Sequence, residues 1–166
     1  MMARASALAL LRSRDGSAAV EMALISPVFF ALMFGAYDLG NYFMSEHLVV
    51  QAVRDGARYA SRRAFSEYTC STVSSDVTTK TQNLVRTGTF AGTTPRINGW
   101  TDNSTVTITV SCDTTGAYQG IYTGVTGGVP VITVSADVPY GSLFKSFGLG
   151  SSIHLKAESK VAVMGV

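Results

Sequence analysis

Gly16 to Phe34 reads GSAAVEMALISPVFFALMF, and the rest of the chain is organised around this stretch. A basic segment precedes it, a glycine sits at the junction, and one carboxylate, Glu21, stands at the mouth of a long apolar run. A plain membrane anchor has no use for an acid at the start of its span. An ionisable residue at the membrane edge is costly, and so marks a functional site by default. Met22 to Tyr37 carries no charge, and these sixteen residues make a helix of about 24 Å. Carried on to Met44, the helix reaches about 34 Å, enough to cross the hydrocarbon core. Asp38 and Asn41 then fall at the outer interface, where simple hydration accounts for Asp38. Pro27 lies inside the span. It removes a backbone donor and can kink the helix, a fault tolerated in membrane helices when neighbours re-satisfy the freed carbonyl. Apolar side chains occur all round Met22–Phe34, whereas a core helix of a small soluble domain would show a polar face. The stretch therefore predicts a transmembrane helix over residues 17–45.

Residues 1–15, MMARASALALLRSRD, fit a secretory signal poorly, because the apolar piece Ala5–Leu11 is short and arginines surround it. They read as a cytoplasmic leader, with any cleavage in front of the apolar run. Arg4, Arg12, Arg14 and Asp15 supply the whole formal net charge of +2. The remainder is balanced, so there is no basic field for nucleic acid. Orientation does not follow from charge alone, since Arg54, Arg58, Arg62 and Arg63 lie on the far side of the span.

Beyond the span, Leu48, Val49, Ala52, Val53, Gly56 and Ala60 recur at spacings of three and four. The pattern predicts an amphipathic continuation of the same helix over residues 46–65. Ala52, Gly56 and Ala60 form a ridge of small residues that permits close approach of another backbone. That backbone belongs either to a neighbouring subunit or to the chain's own sheet. Arg54, Arg58 and Arg62 fall on a separate stripe. It reads as a solvated face with Asp55 pairing weakly to Arg58 or Arg62, or else as a subunit contact.

The remaining residues, 66–166, predict a small polar domain rich in Thr, Ser and Gly. A helix over Asp76–Arg86 is capped by Ser75, with Val77, Thr81, Leu84 and Val85 on one face. Trp100 is a packing anchor in a turn-rich segment. Three strands follow at Thr105–Cys112, Val129–Val138 and Ser152–Met164. Their inward sets are Val106, Ile108 and Val110, then Ile132, Val134, Ala136 and Val138, then Ile153, Leu155, Ala157, Val161 and Val163. Between the last two strands, Leu143, Phe144, Phe147 and Leu149 make an apolar turn. Tyr118 and Tyr122 sit in the loop before the second strand. An antiparallel meander with one apolar face needs a cover, and the amphipathic half of the long helix is the natural one. The fold class is α+β: a long N-terminal transmembrane-plus-amphipathic helix packed on a small, roughly three-stranded antiparallel sheet, a lollipop in outline. Cys70 and Cys112 read as one disulfide in an oxidising compartment, or as two unrelated buried thiols. If paired, they close a loop worth roughly 3–4 kcal/mol in the chain-entropy picture. The cysteine pair and the Thr-rich strands favour an extracytoplasmic C-terminal side.

No G-x-S-x-G, H-E-x-x-H, P-loop or G-x-G-x-x-G context is present, and His47 and His154 stand alone. The sequence points to no enzyme, cofactor or metal. Asn103-Ser104-Thr105 matches a glycosylation sequon by chance.

These residues resemble a known pattern. Type IV pilins and their relatives have a short basic leader, a glycine before the cut and a glutamate fifth in the mature chain. Here Ser17, Ala18, Ala19 and Val20 separate Gly16 from Glu21. The run RDGSAAVEMALISPVFFALMFGAYDLG, with QAVRDGARYAS at Gln51–Ser61, is similar to the TadE-like minor pilins, or pseudopilins, of tight-adherence (Flp) pili. Met22 stands where the major Flp pilins carry an aromatic, which favours a minor subunit, as does the chain length. The similarity spans roughly Arg14–Arg63. Beyond it, the cysteine-bearing strand and VPYGSLF…IHLKAES are alike in style only.

The resemblance implies a pilin-like fold and cleavage between Gly16 and Ser17 by a prepilin peptidase. It also implies residence in the bacterial inner membrane with a single pass, the N-terminus cytoplasmic and the C-terminal domain periplasmic. The partners implied are other pilin or pseudopilin subunits, the assembly platform and the lipid bilayer, with a contribution to pilus assembly and surface adhesion. Glu21, Pro27, Ala52, Gly56 and Ala60 are the expected subunit-packing residues. The alternative is an uncleaved single-pass protein displaying a periplasmic binding domain, which leaves Glu21 unexplained.

Overall fold

The computed structural model describes residues 16–116, 120–123, 125, 127–144 and 153–165. The leader 1–15, Tyr118, Phe147 and Leu149 lie outside the described residues. The chain divides into two units, one up to Gly40 and one from Asn41 onward. Helix α1, Ser17–Ser61, belongs to both and runs through Pro27 without interruption.

In the first unit the described residues from Ser17 onward belong to α1. Met22, Leu24, Ile25, Val28, Phe29 and Leu32 are all well exposed. The helix is long and apolar enough to cross a membrane. An uncovered apolar surface of this extent marks a membrane or partner contact.

In the second unit the remainder of α1 is one wall of a core. Val49, Ala52, Val53, Ala57 and Ala60 are buried. The expected continuation to residue 65 stops earlier, at Ser61, because each terminal carbonyl finds another donor. Ser61 Oγ donates to Arg58 O at 3.0 Å. Arg62 N and Arg63 N donate to Tyr59 O and Ala60 O, tightening the last turn. The Tyr68 hydroxyl donates to Ala60 O as well, and Met164 N donates to Ser61 O at 2.7 Å. Burial pushes the Tyr68 phenol far above its ordinary range, with the nearby Arg63 charge acting the other way.

Helix α2, Ser75–Thr87, is capped one residue earlier than the sequence suggests, by Ser74, whose side chain accepts from Val77 N. It ends at Gly88 in the left-handed conformation, φ 77°. Val77, Thr81 and Val85 are fully buried, with Thr81 and Val85 against Gly56 of α1. Strands β1 (Val106–Asp113), β2 (Val129–Pro139) and β3 (His154–Ala162) form one antiparallel sheet in the order β1-β2-β3. Val106 pairs with Ala136 and Val134 with Ser159. Val106, Ile132, Val134, Ala136, Val138 and Leu155 bury toward the helices, as their alternation requires. Ile153 was expected inward, yet it is exposed. The ladder ends at the Pro139–His154 pair, so Ile153 lies past the covered part of the sheet. The class is α+β: a long apolar N-terminal helix and a three-stranded antiparallel sheet.

Trp100 is 1% exposed, and its indole N–H donates to Thr105 Oγ1 at 2.7 Å. The segment around it hangs on a cation that the sequence did not single out. Arg86, nearly buried, donates through Nε to Asn103 Oδ1 at 2.6 Å, through one terminal nitrogen to Gly92 O at 2.7 Å and through the other to Trp100 O. All three acceptors are neutral.

Candidate membrane and packing site

The residues singled out at the N-terminal end lie at or near the start of the described helix. Ser17 is the first residue of α1, and Glu21 follows it by a little over one turn. Ser17 Oγ donates to Glu21 Oε1 at 3.2 Å. Gly16, Ser17, Glu21 and Pro27 are all exposed, and a Cβ on Gly16 would touch nothing. The carboxylate is thus presented on an uncovered helix surface directly ahead of the apolar run.

Ala52, Gly56 and Ala60 are not on that surface. The sequence offered a neighbouring subunit or the chain's own sheet for this ridge, and at Gly56 neither holds: the chain's own α2 lies there. A Cβ on Gly56 would lie 2.3 Å from Val85 Cγ2 and 3.3 Å from Thr81 Cγ2. In this chain the ridge lets α2 approach α1. Asp55 also differs from its expected pairing. Its carboxylate meets Arg96 at 3.2 Å, and neither Arg58 nor Arg62 is its partner. Spacing along one helix could not reveal a partner 41 residues away.

Cys70 and Cys112 form a disulfide with a Cα–Cα distance of 5.0 Å. It ties the segment after α1 to the end of β1. Beside it opens a cleft of about 680 Å³ whose walls include Phe65, Tyr68, Ile121 and Pro130, with no charged side chain among the described lining residues. Among the described residues no group of His, Cys, Asp and Glu could hold a metal. His154 sits on an exposed strand position as expected, with Nδ1 on Asp137 Oδ1. That contact, joined by Lys156 at 3.2 Å, holds the Asp137 carboxyl below the usual carboxylate range. The sequon asparagine is engaged structurally: Asn103 Nδ2 donates to Asn83 Oδ1 at 3.0 Å.

An exposed apolar helix that runs on into a disulfide-closed α+β domain fits a protein anchored in a membrane by one helix. The family model described as TadE-like protein matches residues 16–58, and over that segment the chain is similar to that family. The match spans the glycine junction, Glu21, the apolar run and the small-residue ridge, and ends before the sheet. No curated protein matches the chain, and no solved structure matches it.

Proposed function

We propose that this chain is a minor pilin or pseudopilin of a tight-adherence, type IV-like pilus, cut by a prepilin peptidase between Gly16 and Ser17. Residues 1–16 are the leader, 17–45 the membrane helix, 46–61 its amphipathic continuation, and the remainder through 166 a domain on the periplasmic side. The supporting observation is a coincidence of position. Glu21 stands fifth from the junction predicted for cleavage, on a helix whose apolar run is exposed among the described residues.

Cleavage would give Ser17 a cationic amine. A carboxylate at the membrane edge then pairs with the amine of an adjoining subunit and sets the axial register of packed helices. A subunit out of register leaves an ion without its partner in a poorly hydrated place, which is strongly unfavourable. Pro27 lies on the same exposed helix, where a neighbour can satisfy the carbonyl that proline leaves free. Incorporation into the fibre, or priming of it, would supply the contribution to surface adhesion.

The test is complementation of a strain lacking this chain with Glu21→Gln and Glu21→Ala. Both variants should insert in the membrane at normal levels, yet lose co-purification with other pilus subunits. Unchanged assembly would remove Glu21 from the mechanism and leave the uncleaved anchor as the better reading.

A further inference from the structure

We infer that a cleft in the second unit, beside the first turns of α1 past the apolar run, holds the phosphodiester headgroup of a membrane lipid. Its donors are Ser45, Asn98 and Arg96. The inference rests on α1 crossing a membrane and does not depend on cleavage after Gly16 or on a pilus.

Asn41 and Ser45 of α1 form one wall of the cleft, Arg96 and Asn98 a second, and Tyr140 and Gly141 a third. All of them belong to the second unit. The cleft measures about 360 Å³, within the range of about 300–1,000 Å³ usual for small-molecule sites. Tyr140 fixes its shape. The hydroxyl accepts from Asn41 Nδ2 at 3.1 Å, the ring meets Tyr42 edge-on at 5.3 Å, and the backbone N–H donates to Ile153 O at 2.8 Å.

The polar groups facing this space are unused. Ser45 is only 8% exposed, yet its hydroxyl makes no hydrogen bond among the described residues. A hydroxyl inside a helix can return to the carbonyl one turn back, as Thr78, Thr79 and Thr87 do in α2. Ser45 does not. Buried polar groups are ordinarily hydrogen-bonded, so whatever enters the cleft is left to satisfy it. The Asn98 side chain is exposed on the same lining and also makes no hydrogen bond among the described residues. Arg96 gives one terminal nitrogen to Asp55 and keeps further donors. Asp55 is outside the lining, and no carboxylate is among the described lining residues. Hydroxyl, amide and guanidinium can all donate. A group that only accepts, through several oxygens, satisfies them together, and a phosphodiester is such a group.

Depth along α1 selects a lipid as its bearer. The uncharged run ends at Tyr37, and Asn41 and Ser45 follow it by four and eight residues. That is about 6 and 12 Å of helix rise. The headgroup layer occupies about 5–8 Å beyond the hydrocarbon on each side, and tilt shortens the projected rise. The α1 wall of the cleft therefore falls at the level of lipid phosphates. Phe43 and Met44, between Asn41 and Ser45, are exposed, and so is Leu143, two residues past Gly141. Uncovered apolar side chains around a polar cleft fit acyl chains beside a headgroup. A free phosphate has no use for that rim.

Flotation of the full chain with phospholipid vesicles is read first. A chain that does not float overturns the membrane helix and this inference together. The full chain is then held in dodecyl maltoside micelles doped with phosphatidylglycerol or with diacylglycerol of the same acyl chains. Native mass spectrometry reads the lipid retained by each chain. Phosphatidylglycerol should be retained at least tenfold more than diacylglycerol, and excess inorganic phosphate should not displace it. Ser45→Ala with Asn98→Asp should bring the ratio close to one. Thr109→Asp adds the same charge at an exposed position on β1 and should leave the ratio unchanged. Near-UV circular dichroism checks that each variant is folded, and Asn98→Asp alone replaces a pair that is not. Equal retention of the two lipids, a ratio that survives the cleft variants, or displacement by inorganic phosphate overturns the headgroup site while a floating chain keeps its membrane helix.

Discussion

Gly56→Ala should destabilise the C-terminal domain although it improves the helix. The methyl group would sit 2.3 Å from Val85 Cγ2 and 3.3 Å from Thr81 Cγ2, where unstrained carbon contacts need about 3.5–4.0 Å. Val85 and Thr81 are fully buried. Both are β-branched on a helix, so rotation about χ1 is a poor escape. The two helices must separate instead, and that overpacking costs about 1–3 kcal/mol. Replacing glycine in a helix interior returns about 1 kcal/mol. The expected net loss is about 1–2 kcal/mol. Trp100, the single tryptophan, is buried in the same domain, so its fluorescence reports denaturant unfolding of the micelle-bound protein. Val85→Ala alone should open a cavity worth about 2 kcal/mol. In the Gly56→Ala/Val85→Ala pair the new methyl fills part of that space. The double variant should then be more stable than the two losses added together, with a coupling of about 1 kcal/mol or more. A Gly56→Ala protein as stable as the native one, or strictly additive losses, would refute the packing argument and return the ridge to an intersubunit role.

Arg86→Met should cost about 3 kcal/mol, because three acceptors lose one charged donor at once, and should red-shift Trp100 emission before global unfolding. Replacing Cys70 and Cys112 with serine should lower stability by up to about 4 kcal/mol, read as a lower denaturation midpoint, with no further effect of reductant. Tyr68→Phe should cost about 1 kcal/mol by deleting its hydrogen bond to the α1 terminus. In the native chain the neutral phenol is favoured by folding. Its contribution is complete below the ordinary tyrosine range and is lost as pH rises toward its elevated folded value, which ultraviolet titration follows. Asp137 behaves in the opposite sense. Its lowered pKa favours the folded state above the ordinary carboxylate range, and that benefit fades as pH falls through the folded value. His154→Ala should move the Asp137 titration upward in an NMR pH series, with little change in midpoint stability because the pair is exposed.

Local patterns carried much of this fold. β2 alternates Ile132, Val134, Ala136 and Val138 without a break, and burial follows that alternation residue by residue. Helix α2 was legible from Val77, Thr81, Leu84 and Val85 on one face, of which Leu84 is only half-buried. What the sequence could not show was partnership over distance. Asp55 has arginines a turn away on its own helix, yet takes Arg96 because the loop after α2 brings that side chain in. Arg86 looks like an ordinary last-turn cation, and only the returning segment Gly92–Asn103 makes it a buried hub. The small-residue ridge announced a close helix approach without naming the second helix. At the N-terminal end the situation is reversed: Gly16, Ser17 and Glu21 make few contacts among the described residues, so their meaning lies in the order of the residues.

The central claim is that Gly16 and Ser17 are separated before the protein works. Intact mass and N-terminal sequence of the protein purified from membranes of a strain with an active prepilin peptidase test it most directly. The account predicts a single species beginning at Ser17, replaced by the full-length chain when the peptidase is inactivated. A chain that still begins at Met1 or Met2 with the peptidase active would contradict it, and would leave Glu21 without the amine it is proposed to meet.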